Sequence, residues 1–406
     1  MLDRVQAQAP RTAMRVVVAI DSFKGCLSSA DAGAAARVGV LAAVPDADVR
    51  VVPVADGGEG TVDALLHAGD GTRVLAPTVD ALGRPVEAAY ALLDGGATAV
   101  VEAASCLGLP QVGVVDATLP PRAGSAGVGL LVRHAVRGGA RRVVVALGGT
   151  SCTDGGAGLL IALGAVVRDA AGDRVAAAGS NPLWSFAALD PASVPDLRDV
   201  ELVVLTDVDN PLHGPRGAAR VFGPQKGATP EQVDLLDDRL VAWGAALAGA
   251  GRPVADLPGA GAAGGLGAAL LVLGARREAG FAYVARAVGL AGAVAGADLV
   301  LTGEGRLDAQ TAGGKTPAGV AALAREAGAV VVALAGSVER GERGEDGSLD
   351  AGLLDTALFD AAPFDAVLAV QPRPRPLAEA MVPEVAAGDV AATAAQVARL
   401  VARLRR

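Results

Sequence analysis

Lysine is nearly missing from this chain: its 406 residues carry only Lys24, Lys226 and Lys315 among 35 basic residues. Each stands beside glycine, in Asp21-Ser-Phe-Lys-Gly, Phe222-Gly-Pro-Gln-Lys-Gly and Gly313-Gly-Lys-Thr. A chain that writes its ordinary surface charge as arginine and keeps compact ammonium groups in three glycine loops points to a phosphate or small carboxylate held against backbone amides. Compositional drift towards arginine is the alternative without function. Aromatic residues make up only 2%, so the core has to be built from Ala, Val and Leu, and the 55 glycines imply many tight turns and close backbone approaches. That combination favours a parallel α/β architecture in two or three domains.

Other absences narrow the function. Cys26, Cys106 and Cys152 are odd in number and form no C-x-x-C pair. They suggest neither a disulfide framework nor a cysteine zinc site, and a reducing cytoplasm fits them best. The three histidines, His67, His134 and His213, form no H-E-x-x-H, and no Ser/His/Asp elbow occurs, so nucleophilic catalysis has little support. A net charge of −9 without any long Lys/Arg run argues against nucleic acid as the main partner. No apolar h-region opens the chain; residues 1–13 read as a disordered extension, with Met14 as a second candidate start. The uncharged stretch Leu257 to Ala275 has the length of a membrane span, but Pro258 and six glycines make it a glycine loop feeding a buried helix.

What is present is a series of short Val/Ile/Leu runs that end in acids. Val16-Val-Val-Ala-Ile ends in Asp21, Val51-Val-Pro-Val-Ala in Asp56, Leu202-Val-Val-Leu-Thr in Asp207 and Leu299-Val-Leu-Thr-Gly in Glu304, while Val143-Val-Val-Ala-Leu leads into Gly148-Gly-Thr-Ser-Cys-Thr-Asp154. The runs read as buried parallel strands, and parallel sheets bind ligands beyond their carboxyl ends. Any one acid taken singly is better explained as a helix N-cap. Five together predict an acidic rim, and acids beside lysines suggest Mg²⁺ with phosphate. The economical assembly is a Rossmann-like, flavodoxin-like domain from residues 14–65 plus 290–406, with a second α/β domain, 66–289, inserted and the active site in the cleft. Glu339 to Leu353 and Gln371 to Pro376 read as exposed loops, and a helix from Val385 to Arg405 closes the chain.

Two loops repeat an acidic diglycine theme: Asp56-Gly-Gly-Glu-Gly-Thr61 and Thr153-Asp-Gly-Gly-Ala-Gly158. Gly57, Gly58, Gly155 and Gly156 bring backbone N–H groups towards an anion, with Asp56 and Glu59 available to metal. Gly313-Gly-Lys-Thr316 is not a Walker A loop, since Ala309 stands where that motif needs glycine. Gly259-Ala-Gly-Ala-Ala-Gly264 matches G-x-G-x-x-G, but no convincing strand precedes it; Gly261, Gly264 and Gly265 read equally as a phosphate-holding helix entry or as close packing.

Ala19-Ile-Asp-Ser-Phe-Lys-Gly, Val54-Ala-Asp-Gly-Gly-Glu-Gly-Thr, Leu147-Gly-Gly-Thr-Ser-Cys-Thr-Asp-Gly-Gly-Ala-Gly and Asp207-Val-Asp-Asn-Pro-Leu together resemble the bacterial glycerate kinase family. So do Phe222-Gly-Pro-Gln-Lys-Gly-Ala, Gly259-Ala-Gly-Ala-Ala-Gly-Gly-Leu-Gly and Thr302-Gly-Glu-Gly-Arg-Leu-Asp-Ala-Gln-Thr-Ala-Gly-Gly-Lys. The resemblance spans about 14 to 400 in the family's order. It implies a two-domain α/β fold and ATP-dependent phosphorylation of D-glycerate, of the type usually giving 2-phosphoglycerate. Local departures are Thr153 where Asn is frequent, and Ala126 and Leu130 where Tyr and Glu are common.

On this basis ATP and Mg²⁺ are the expected cofactors. Asp207 is the expected base with Asp154 second, and Lys24 and Lys315 are expected to offset charge in catalysis. Asp56, Glu59 and Glu304 are the metal candidates, with Asp21, Ser22, Asn210, Lys226, Asp308 and Gln310 on substrate. The implied partners are D-glycerate and a nucleotide, without nucleic acid or membrane, in a monomer or a homodimer. A glycerate 3-kinase, an NAD(P)-linked oxidoreductase using the Gly259 loop, and a non-catalytic sugar-acid sensor are the rival readings.

Overall fold

The computed structural model describes residues 13–307, 316–338 and 364–405. Residues 1–12 of the expected extension, the loop Glu339 to Leu353, and the site candidates Asp308, Gln310 and Lys315 lie outside the described residues. The apolar runs form strands β1 (Arg15–Ile20), β2 (Asp48–Val51), β3 (Thr72–Val79), β4 (Pro85–Leu93), β5 (Thr98–Glu102), β6 (Arg142–Ala146), β7 (Val167–Arg168) and β8 (Ala188–Leu189). They continue as β9 (Glu201–Leu205), β10 (Arg276–Glu278), β11 (Leu299–Leu307), β12 (Val330–Val338) and β13 (Ala366–Ala369). Alanine-rich helices separate most of them, because Ala gives up no side-chain entropy in a helix. The chain is α/β and divides into two compact units, Met1–Val54 with Val288–Arg406, and Ala55–Ala287.

In the first unit five parallel strands follow the order β13-β12-β11-β1-β2, so β1 sits between a neighbour close in sequence and one from the far end of the chain. Helices Ser29–Ala43 and Pro383–Leu404 join this sheet in one core. Ser28 caps the former through Asp31 N–H at 3.1 Å, and Pro383 opens the latter. Pro383–Leu404 is long and apolar enough to cross a membrane, yet its stripe Ala386, Val390, Ala394, Val397, Ala398 and Val401 is core of this unit.

Two expected strands have different limits. β2 stops at Val51 instead of running to Ala55, since Pro53 offers no N–H to continue the ladder. Val52 N–H still donates to Val18 O at 2.8 Å, whereas Val54 N–H donates to Ser29 Oγ at 2.9 Å. β11 does not end before Glu304: β12 continues alongside it, and Glu304 pairs with Ala335 inside the ladder.

In the second unit the order is β10-β9-β6-β5-β4-β3. β10, β9, β6 and β5 are mutually parallel, while β4 is antiparallel to both β5 and β3. The reading of every strand as parallel is thereby corrected. The β3–β4 hairpin turns at Asp80, whose Oδ1 accepts the N–H groups of Leu82 and Arg84, each at 2.9 Å. The stretch Leu257 to Ala275 contains the buried helix Ala262–Val272, as the glycine-loop reading anticipates.

Candidate active site

The strand register of the second unit levels its carboxyl ends: Glu102 of β5 pairs with Ala146 of β6, Ala146 with Leu205 of β9, and Leu205 with Glu278 of β10. Asp207 stands two residues past the end of β9. Its Oδ1 accepts Gly280 N–H at 2.8 Å, at the start of the helix Gly280–Ala287. Removal from water holds this carboxyl above the usual carboxylate range, the amides of Gly280 and Phe281 oppose that, and the charge of Asp56 adds to it. Asp56 and Asp207 therefore stand within electrostatic reach of each other on one rim.

The Asp56 turn reaches that rim through close backbone contacts. Gly58 N–H donates to Asp56 Oδ1 at 3.0 Å, and Thr61 Oγ1 donates to Gly58 O at 2.8 Å. Gly57 has φ +85°, and a Cβ there would meet Gly280 Cα at 2.5 Å, so only glycine admits the approach. Glu59 projects from the turn into solvent.

The loop after β6 is a rigid platform. Asp154, fully buried, accepts Ser125 N–H at 2.8 Å, Ser125 Oγ at 2.7 Å and Gly158 N–H at 3.1 Å on Oδ2, and Gly156 N–H at 3.0 Å on Oδ1. Burial raises its pKa against these donors. With both oxygens committed internally, Asp154 serves as the scaffold of the loop better than as a base. Gly155 N–H donates to Gly264 O at 2.9 Å, and a Cβ on Gly264 would lie 2.1 Å from Cys152 O. Gly155, Gly264 and Gly265 are thus accounted for by two loops packed backbone to backbone, and no strand leads into the Gly259 loop, which follows the helix Pro230–Gly249. Gly261 closes on Asn210 O through its N–H at 2.9 Å, while Asn210 Nδ2 donates to Arg216 O at 2.7 Å.

Lys226 is the unusual cation of this unit. It is buried, and its Nζ donates to Cys152 O at 2.7 Å and Thr150 Oγ1 at 3.4 Å. Burial lowers its pKa, and no carboxylate among the described residues forms a salt bridge with it. An ammonium in such a place favours an incoming anion. The Thr153 hydroxyl of the same loop is buried without a hydrogen-bond partner.

The first unit gathers a second set. Asp21 and Ser22 follow β1, with Ser22 N–H donating to Asp21 Oδ1 at 2.6 Å and Asp21 N–H to Gly303 O at 2.8 Å. Lys24 occupies the exposed tip of a turn closed by Phe23 and Leu27. That turn lies against β11, a Cβ on Gly305 being 3.3 Å from Phe23 Cα, one residue beyond Glu304. The hydroxyls of Ser22, Thr302 and Thr316 are buried without hydrogen-bond partners.

Sequence reasoning missed Glu102. Its Oε1 accepts Val62 N–H at 2.6 Å, and burial, helped by the charges of Asp63 and Glu59, pushes its pKa up to about 7. The signal was there, in Thr98-Ala-Val-Val followed by an acid, but no glycine marks the strand end.

Among the described residues no group of three or more His, Cys, Asp or Glu converges as a metal cage. Magnesium held by one or two carboxylates together with nucleotide oxygens needs no such cage. The unpartnered hydroxyls and the buried Lys226 ammonium are donors suited to phosphate oxygens.

Acidic strand ends, hydroxyl-bearing loops and a buried ammonium on an α/β scaffold are groups of the kind a phosphotransferase uses. The glycerate kinase family model matches residues 16–402. The chain is 43% identical over 330 residues to a glycerate kinase of Bacillus subtilis (strain 168), covering 80% of this chain and 86% of that one. It is 40% identical over 328 residues to a glycerate 2-kinase of Escherichia coli (strain K12), again covering 80% and 86%. A crystal structure provisionally assigned as glycerate kinase 2 from Salmonella typhimurium LT2 superposes with a TM-score of 0.76 at 38% identity, covering 97% of this chain and 100% of that one. The chain belongs to the glycerate kinase family and is a kinase.

Proposed function

We propose that this kinase transfers the γ-phosphoryl group of ATP to the 2-hydroxyl of D-glycerate, giving 2-phosphoglycerate and ADP, as a soluble cytoplasmic enzyme. The observation that carries the reading is the paired Asp56 and Asp207 on one sheet rim, with the Asp207 carboxyl held above its ordinary range. Asp207 takes the proton of the attacking hydroxyl as the new O–P bond forms and the bond to the leaving ADP oxygen breaks; a carboxylate raised above its ordinary range is the stronger base for that transfer. Asp56 and Glu59 would hold Mg²⁺, which would supply neutralisation of phosphate charge, and Glu304 of the first unit stands as a separate metal candidate. Lys226 binds the glycerate carboxylate or a phosphate oxygen. From the first unit Asp21 and Ser22 are assigned to substrate and Lys24 to charge neutralisation, and from the segment outside the described residues Asp308 and Gln310 to substrate and Lys315 to phosphate. Asn210 fits better as the brace of its turn.

The test is incubation with D-glycerate, ATP and Mg²⁺, coupled directly to enolase with no mutase present. ADP together with phosphoenolpyruvate is the expected result. ADP without phosphoenolpyruvate would move the phosphoryl group to the 3-hydroxyl, and absence of ADP would sink the substrate assignment. Asp207→Asn should lower kcat by about 10²–10⁴-fold with KM for glycerate little changed.

A further inference from the structure

The helix Thr61–Ala68 begins without a cap of its own. Its N-cap residue, Gly60, has no side chain, and φ of +90° places that residue in the left-handed region. The first turn of a helix leaves N–H groups that need acceptors. Here Val62 N–H is met by Glu102 Oε1 at 2.6 Å, from the end of β5, 40 residues further along the chain. The carboxylate also faces the positive end of the helix dipole. The setting is otherwise unfavourable to a negative charge: burial above all, and then Asp63 and Glu59, raise the pKa of Glu102, and Arg73, ion-paired with Asp63, offsets the two acids only in part. That hydrogen bond ties the end of β5 to the first turn of the helix.

What it holds is the entry of the Asp56–Gly60 turn into its helix. Thr61 N–H and Oγ1 both donate to Gly58 O, at 3.4 and 2.8 Å, so the start of the helix and the Asp56 turn move together. We infer that Glu102 is a positioning residue: by capping Val62 from β5 it fixes the helix start, and with it the place of Asp56 beside Asp207. That role calls for no contact with substrate or metal. The inference rests on the assignment of Asp56 to Mg²⁺ binding made above, but the capping half stands independently of it.

Glu102→Gln keeps an oxygen acceptor for Val62 N–H, and Glu102→Ala removes it. Amide hydrogen exchange of the peptide covering Thr61 to Leu66 is measured in all three proteins, with titration of Mg²⁺ and a non-hydrolysable ATP analogue. In Glu102→Ala, exchange confined to that peptide should rise at least tenfold, and Mg²⁺-dependent nucleotide binding should weaken at least fivefold while KM for glycerate stays within twofold. Glu102→Gln should remain near wild type in both. Unchanged exchange in Glu102→Ala overturns the cap. Exchange raised throughout the second unit, or Mg²⁺ dependence equal to wild type, overturns the positioning role. A wild-type protein that binds nucleotide without Mg²⁺ would sink the metal assignment instead, and the exchange result would still decide the cap.

Discussion

Single side chains in this protein link the candidate-site loops to the core. Trp243, fully buried, donates Nε1–H to Gly155 O at 2.8 Å and meets Phe186 edge to face at 5.2 Å. Trp243→Phe keeps most of the apolar contact but strands that carbonyl, so it should cost about 1–3 kcal/mol of stability, read from urea unfolding. Glu102 sets a pH dependence. Its folded pKa of about 7 lies above the ordinary 4.5, so the folded state binds the proton more tightly. The associated stability is complete below about pH 4.5 and is lost as pH rises through about 7, a loss of at most about 3 kcal/mol. The unfolding midpoint should therefore fall between pH 5 and pH 8, and Glu102→Gln should flatten that slope. Glu102 is the last residue of β5 and Asp207 stands two residues past the end of β9, yet only Asp207 was legible. Asp207 opens Asp-Val-Asp-Asn-Pro, whose turn residues announce a loop, while Glu102 runs on into Ala-Ala-Ser-Cys-Leu. Burial and neighbouring charge, which make Glu102 notable, are properties of the fold.

Elements were legible where period and punctuation agreed. β1, β6 and β9 are built on short Val/Ile/Leu-rich runs and lie close to where such runs place them. The β3–β4 hairpin was not read, because β3 is half-exposed and interleaves Arg73, Pro77 and Thr78 with its apolar residues. Glu304 was placed at a strand end because Gly303 and Gly305 look like a turn, whereas the extension of β12 carries the ladder past them. Helix packing gives a paired test. A Cβ on Gly39, in Ser29–Ala43, would lie 1.9 Å from Ala391 O of Pro383–Leu404, while one on Gly388 would meet nothing within 4 Å. Gly388→Ala should stabilise the protein by about 0.5–1 kcal/mol through helix propensity. Gly39→Ala should destabilise it by about 1–3 kcal/mol, since two backbones must separate. Thermal unfolding of the two variants reads both signs.

For the molecule as a whole, the discontinuity of the first unit governs what folds alone. Ala55–Ala287 has its own six-stranded sheet and its own core around Trp243. Expressed by itself it should unfold cooperatively in denaturant, with near-native ellipticity beforehand. Residues 1–54 alone should show neither, because β1 has one lateral neighbour in β2 and takes the other, β11, from the distant part of the chain. The same placement imposes an order on biosynthesis. The apolar strand Val16–Ile20 leaves the ribosome first, but its partner Leu299–Gly303 follows roughly 280 residues later. At about 5–20 residues per second that delay is tens of seconds, during which the inserted unit has time to finish folding. Of the described strands, the first in chain order is thus among the last to be fully paired, which leaves its apolar edge open in the nascent chain throughout that interval.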